Sequence, residues 1–148
     1  MGRFVALDAD AESLKEVETN YGCKGVEVVH GSVRHILARK LTLGSFDFVY
    51  SAGLYDYLAD NVAKALTARM FEMTRPGGQI MVANFAPQVR DRAYMEAFMD
   101  WQLIYRTEEE MGILMGDIDP AEVANYQAYS DPDGSVVYLM VHKKQPVK

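Results

Sequence analysis

Short apolar runs alternate with amphipathic stretches over the first two thirds of the chain. Phe4 to Leu7 is an apolar run bounded by Asp8, too short for a helix, and predicts a buried strand. Asp10 offers an N-cap with an acidic residue in the first turn, and Leu14 and Val17 give the following helix a narrow apolar stripe up to Tyr21 and Gly22. Val26 to Val29 predicts a β-branched strand running into His30, Gly31 and Ser32, with a short helix over 33–40. Phe46 to Tyr50 predicts another buried strand, entered through Gly44 and Ser45 and left through Ser51, Ala52 and Gly53. Val62, Leu66, Met70 and Met73 have the spacing of a helix over 58–73 packed on a sheet; Pro76, Gly77 and Gly78 stop it ahead of a strand over Ile80 to Ala83. Strand alternating with helix three times in succession predicts an α/β fold with a parallel sheet and helices on its faces.

The last third changes character. The pattern predicts a helix over 91–104, and Thr107 followed by three glutamates resembles a capped helix start. Two strands, 123–130 and 136–142, flank Asp131, Pro132, Asp133 and Gly134, which reads as the turn of an antiparallel hairpin. No repeat, low-complexity tract or composition shift marks a linker, so residues 1–148 are expected to form a single domain.

Composition narrows the function classes. With 49% hydrophobic and 24% charged residues the chain has the balance of a globular protein, and its net charge of -6 with no basic stretch argues against nucleic acid as a partner. A small molecule or a protein fits better. Cys23 is the single cysteine, which excludes an internal disulfide or a thiolate cluster and points to the cytoplasm. No apolar run approaches the roughly 20 residues of a membrane span. His30, His35 and His142 share no ligand spacing, so no metal site is expected. Neither a Gly-x-Ser-x-Gly elbow nor a phosphate-binding Walker loop is present.

Four tracts together resemble the class I S-adenosylmethionine-dependent methyltransferases. FVALDAD is similar to that family's second strand, VVHGSV to its third strand and loop, FDFVYSAGLYDYL to its fourth, and MTRPGGQIMVANF to the turn into its fifth. The tail YMEAFMDWQLIYRTEEEM resembles a bacterial subgroup linked to methyl-ester formation on hydroxy fatty acids. The resemblance implies a Rossmann-like three-layer sandwich, mostly parallel, whose last hairpin adds an antiparallel strand beside the fifth. Family members open with a central strand, a glycine-rich loop and a helix, and Gly2 alone does not supply that loop. The expected domain is therefore truncated, lacking its first β-α unit, with S-adenosylmethionine binding weak or absent in this chain alone.

Ligands of open α/β sheets bind beyond the carboxyl ends of the strands, which nominates Asp8, Ser32, Ser51 to Tyr57 and Asn84. A carboxylate at Asp8 can accept hydrogen bonds from both ribose hydroxyls; the alternative is a cap on the following helix, a role open to Asp10 as well. By the resemblance, the Ser32 hydroxyl and the Val33 amide are the adenine contacts. Small residues at Ser51, Ala52 and Gly53 let the backbone approach a cofactor, while Leu54 and Tyr55 could wall a pocket. Tyr55, Asp56 and Tyr57 read equally as substrate contacts or as a helix start with buried aromatics. Asn84 could orient a substrate or bond a loop backbone. Tyr94, Glu96, Trp101, Tyr105 and Arg106 fall near helical spacing, the usual mark of core, although the resemblance sets one or two of them near substrate.

The expected function is methyl transfer to a small-molecule or fatty-acid carboxylate. The alternative is a catalytically inactive binding or self-association module derived from the family. A nicotinamide-dinucleotide domain shares the acidic residue after the second strand but explains the terminal hairpin less well. Without a central strand, FVALD and FDFVY lack their neighbour. Three outcomes follow: the two strands pair directly, a second copy of the chain covers them as a homodimer, or an upstream segment does.

Overall fold

A computed structural model describes residues 2–146. The chain forms two compact units, one up to Thr42 and one from Leu43 onward. In the first, β1 (Phe4–Asp8), α1 (Ala11–Tyr21), β2 (Val26–His30) and α2 (Val33–Leu37) follow one another. β1 and β2 pair in parallel, Phe4 opposite Val26 and Asp8 opposite His30, so both strands deliver their last residues to the same end. α1 packs on both strands and buries Leu14. One helix covers one face of a two-stranded sheet, and Phe4, expected to be buried, is 46% exposed. α2 is shorter than the expected 33–40 because Arg39 takes a positive φ of 55° and turns the chain out of the helix.

The second unit contains β3 (Phe46–Ser51), α3 (Asp60–Glu72), β4 (Thr74–Phe85), α4 (Arg92–Phe98), α5 (Glu108–Ile113), β5 (Val123–Ser130) and β6 (Val136–Lys143). Its sheet has the order β3-β4-β6-β5, with β3 and β4 parallel and β4, β6 and β5 antiparallel in sequence. The terminal hairpin thus enters as expected, its second strand beside β4. Asp131 fixes the turn by accepting the Ser135 and Val136 amides on Oδ1 at 2.7 and 3.0 Å. α3 packs on β3 and β4, α5 on β5 and β6, and Leu66, Ile80, Val82, Met111, Leu114, Leu139 and Val141 form the core. FVALD and FDFVY lie in different sheets.

Three expectations change. The Pro76-Gly77-Gly78 tract does not precede the strand but lies within β4, where the register with β3 is irregular between Phe46 and Phe48. Phe48 and Tyr50 are not buried: they stack at 5.6 Å between ring centroids and remain 42% and 50% exposed on a strand at the end of the sheet. The helix expected over 91–104 ends at Phe98. Asp100 adopts a φ of 51°, and Ile104 and Arg106 then donate their amides to Asp56 O (2.7 Å) and Phe85 O (3.0 Å). These long-range bonds take the groups that a continued helix would have used.

Gly78 marks the tightest approach in this sheet. A Cβ there would lie 2.6 Å from the Asp47 carbonyl oxygen and 2.8 Å from Thr74 Cγ2, whereas at Gly112 in α5 nothing lies within 4 Å. Gly78→Ala is expected to destabilise the chain by about 1–3 kcal/mol through overpacking against backbone. Gly112→Ala is expected to stabilise it by about 0.5–1 kcal/mol through helix propensity. Urea unfolding midpoints at unchanged slope check both.

Candidate functional site

The carboxyl ends of β1 and β2 are tied together by the Gly31 amide donating to Asp8 O at 2.9 Å. Asp10, not Asp8, caps α1. Its carboxylate accepts the Ser13 hydroxyl at 2.6 Å and the Glu12 and Ser13 amides at 3.1 and 3.3 Å, and these bonds, the Ser13 hydroxyl first, hold it below the usual carboxylate range. Asp8 stays exposed and accepts the Asp10 amide on Oδ1 at 2.9 Å, which fixes the orientation of its carboxylate. His30 Nε2 lies 3.0 Å from Ala9 O, an acceptor only, so that nitrogen carries the proton.

Ser32 begins α2, and its side chain does not stand alone. Its amide donates to His35 Nδ1 at 3.3 Å and its hydroxyl lies 3.4 Å from the same nitrogen, while Ser32 O accepts the His35 and Ile36 amides. A ligand contact by the Ser32 hydroxyl would compete with this cap. Val33 is the first residue of the helix and half-buried.

In the second unit, Ser51 closes β3 and leads into exposed Ala52 and Gly53. Gly53 has a φ of 79°, a left-handed conformation that glycine adopts without strain, and the space its Cβ would fill is open. The next residues turn inward. Tyr55 is fully buried, and because Thr67 Oγ1 spends its proton on Ala63 O (2.8 Å), the Tyr55 hydroxyl is the donor in their 3.0 Å bond. Burial pushes the Tyr55 phenol far up, against the opposing effects of Thr67 and Arg106. Asp56, 2% exposed, accepts the Phe85 amide on Oδ1 at 2.6 Å. Tyr57 points outward and is 56% exposed. Of the residues expected to touch substrate, Tyr55, Asp56 and Asn84 are therefore buried with protein partners, and Tyr57 is the accessible one.

Arg106 organises this end of the sheet. It is 2% exposed, and each of its five N–H bonds has an acceptor: Nη1 donates to Tyr55 O (2.9 Å) and Asn84 Oδ1 (2.8 Å), Nη2 to Leu58 O (2.6 Å) and Asp60 Oδ1 (2.8 Å), and Nε to Asp60 Oδ1 (3.2 Å). Asn84 is satisfied in turn, its amide donating to Phe85 O and Ile104 O at 3.0 and 2.8 Å. The loop-bonding alternative for Asn84 describes these contacts. Sequence patterning missed the network because Arg106 was counted with an aromatic stripe on a helix that stops eight residues earlier. The available signal was a single cation closing the run Trp101 to Tyr105, followed at once by the Thr107 cap.

The neighbouring Tyr105 points the other way. Arg92 sits over its ring at 4.4 Å and bonds Glu96 at 2.9 Å, while Tyr105 Oη is buried without a hydrogen bond. Burial and then Glu96 raise its pKa. Tyr94 and Trp101, read as core, are 57% and 39% exposed.

Burial raises the Asp56 carboxyl above its usual range, opposed by the Phe85 amide and the Arg106 guanidinium. A carboxyl with a raised folded pKa contributes stability that is fully present below its unfolded value of about 3.9 and is lost as pH rises through the folded value. Asp56→Asn keeps an acceptor for Phe85 and removes this titration. Wild-type stability measured relative to that variant by urea unfolding should fall as pH rises from about 4; a flat difference refutes the assignment.

A family model described as a methyltransferase domain matches residues 1–78. No curated protein sequence matches the chain. Among solved structures it is similar to a possible exported protein from Bordetella parapertussis, with a TM-score of 0.72 and 16% identity over 96% of this chain and 53% of that one. It is similar also to the N-methyltransferase NodS from Bradyrhizobium japonicum WM9 in complex with S-adenosyl-L-homocysteine (TM-score 0.64, 14% identity, 95% of this chain and 66% of that one). Human N-acetylserotonin methyltransferase in complex with SAM gives a TM-score of 0.69 at 16% identity, over 97% of this chain and 41% of that one. The chain spans roughly half the length of these structures, and at such identities the likeness is one of fold, the Rossmann-like fold of class I methyltransferases. With more than half of its length matched by the family model, the chain belongs to the methyltransferase domain family.

Proposed function

We propose that the chain is the nucleoside-binding part of an S-adenosylmethionine-dependent methyltransferase that acts in the cytoplasm on a small-molecule acceptor, with a fatty-acid carboxylate as the acceptor class. The observation that carries this reading is Asp8. It stands exposed at the carboxyl end of β1, oriented by the Asp10 amide, while Asp10 takes over the cap of α1. An oriented carboxylate with no structural duty toward the helix suits a pair of ribose hydroxyls. The open space at Gly53 and the exposed backbone of Ala52 suit a ligand passing close to the end of β3. S-adenosylmethionine, when bound, supplies a methyl group already activated on a sulfonium, so the residues of the chain bind, align and exclude water. Ser32 and Val33 are assigned to the adenine, and Tyr57 to the acceptor side.

Calorimetric titration with S-adenosylhomocysteine tests the reading. Weak but measurable binding by the whole chain, at least tenfold weaker again in Asp8→Ala and retained in Asp10→Ala, is the expected result. The Asp10 variant should instead lose thermal stability, since it removes the α1 cap. Absent binding, or an Asp8→Ala variant that binds as wild type does, refutes it.

The exposed, stacked Phe48 and Tyr50 on the end strand β3 favour a second reading, a self-association module that pairs two copies through this edge. Sedimentation velocity should then give a dimer that Tyr50→Lys dissociates, a lysine on an edge strand being a standard barrier to pairing. A wild-type monomer at all concentrations eliminates it.

A further inference from the structure

We infer that Arg106 is a positioning residue: its guanidinium sets the conformation of the segment that leaves β3, Ser51 to Asp60, and thereby the affinity of that segment for the cofactor. The inference rests on the proposed function and adds a determinant that lies far along the chain from the loop it controls.

Three segments meet at one side chain. The Tyr55 and Leu58 carbonyls bracket the one-turn 3-10 helix Tyr55–Tyr57, and both accept from Arg106. Asp60, the first residue of α3, accepts from Nε and Nη2, so the guanidinium also fixes where α3 begins. Asn84 at the exit of β4 accepts the remaining Nη1 proton. The backbone supports the same clasp: the Arg106 amide donates to Phe85 O, and the Ile104 amide donates to Asp56 O. Within the turn itself the support is slight, the Tyr57 and Leu58 amides bonding only the Leu54 and Tyr55 carbonyls three residues back. A single 3-10 turn is not stable by itself. Gly53, just upstream, has no side chain to lock it and can accept alternative backbone angles. Bonds from outside the segment therefore decide its conformation, and Arg106 supplies four of them from one side chain.

The chemistry requires arginine. A planar guanidinium presents five donors in a fixed fork, and here all five are used; a lysine ammonium has three, on one atom, and cannot reach acceptors spread around the fork. The charge is balanced by Asp60, whose side chain is 74% exposed, so the clasp has one buried end and one end open to solvent. That asymmetry provides a second variant that leaves the buried core untouched.

The test uses the full chain with Arg106→Lys and Asp60→Ala. Hydrogen exchange of the Tyr57, Leu58 and Phe85 amides should quicken at least tenfold in Arg106→Lys and about threefold in Asp60→Ala, with the β4–β6 ladder amides unchanged, since local opening is independent of global unfolding. Affinity for S-adenosylhomocysteine should fall in the same order. Loop exchange unchanged in both variants overturns the clasp; loop exchange quickened with unaltered affinity overturns its link to the cofactor. If Arg106→Lys unfolds globally, Asp60→Ala carries the decision. A wild-type chain that does not bind S-adenosylhomocysteine refutes the proposed function and with it the cofactor link, whereas the exchange measurement still decides whether Arg106 holds the loop.

Discussion

A buried guanidinium is tolerated only when its charge is balanced and every donor is used, and at Arg106 both conditions are met by residues drawn from two other parts of the chain, Tyr55–Asp60 and Asn84. Removing one partner of such a group strands the rest, at about 3–5 kcal/mol when the pair is fully buried. The exposure of Asp60 moderates that figure for its own half of the bond. The Tyr55 carbonyl, which already accepts the Leu58 amide within the 3-10 turn, takes a second bond from Arg106, and the Leu58 carbonyl accepts from the same guanidinium. The same side chain thus explains why a loop after β3, the end of β4 and the stretch after α4 occupy one place. Asp56 adds to the arrangement from within, linking the loop to Phe85, while its burial makes the carboxylate less favourable than in water.

This network changes what the end of the sheet can do. Several polar side chains there are committed to structure, while the backbone around Gly53 and the Tyr57 ring stay exposed; in the first unit the Asp8 carboxylate is exposed as well. The division between Asp8 and Asp10 follows the same logic. Two neighbouring carboxylates could each cap α1, but N-cap geometry requires an extended residue immediately before the first turn, and Asp10 has it, with φ and ψ of -88° and 109°. Asp8, two residues earlier, accepts the cap residue's own amide instead.

Much of the architecture was legible in the periodicity. β1, α1, β2, α3 and the terminal hairpin fall within a few residues of their expected places, because short apolar runs, caps and turn residues act locally. The Thr107 cap was legible for the same reason, its hydroxyl and the Glu110 carboxylate bonding reciprocally over one turn. The exposure of Phe48 and Tyr50 was not, since an apolar strand has one sequence signature whether or not anything lies against it. Nor was the end of α4: the stripe from Tyr94 to Arg106 fits a helix, and only distant acceptors on Asp56 and Phe85 draw the chain out of it.

The amino-acid sequence by itself determined the methyltransferase ancestry, the order of strands and helices, and the residue types gathered at the strand ends, because these depend on local propensity and on a pattern read along the chain. Tertiary structure alone decided which of those residues stay available. Whether a carboxylate, an amide or a phenol faces ligand or core depends on which acceptors and donors come within about 3 Å of it, and for Tyr55, Asp56 and Asn84 those partners, the adjacent Phe85 of Asn84 aside, lie 12 to 51 residues away along the chain.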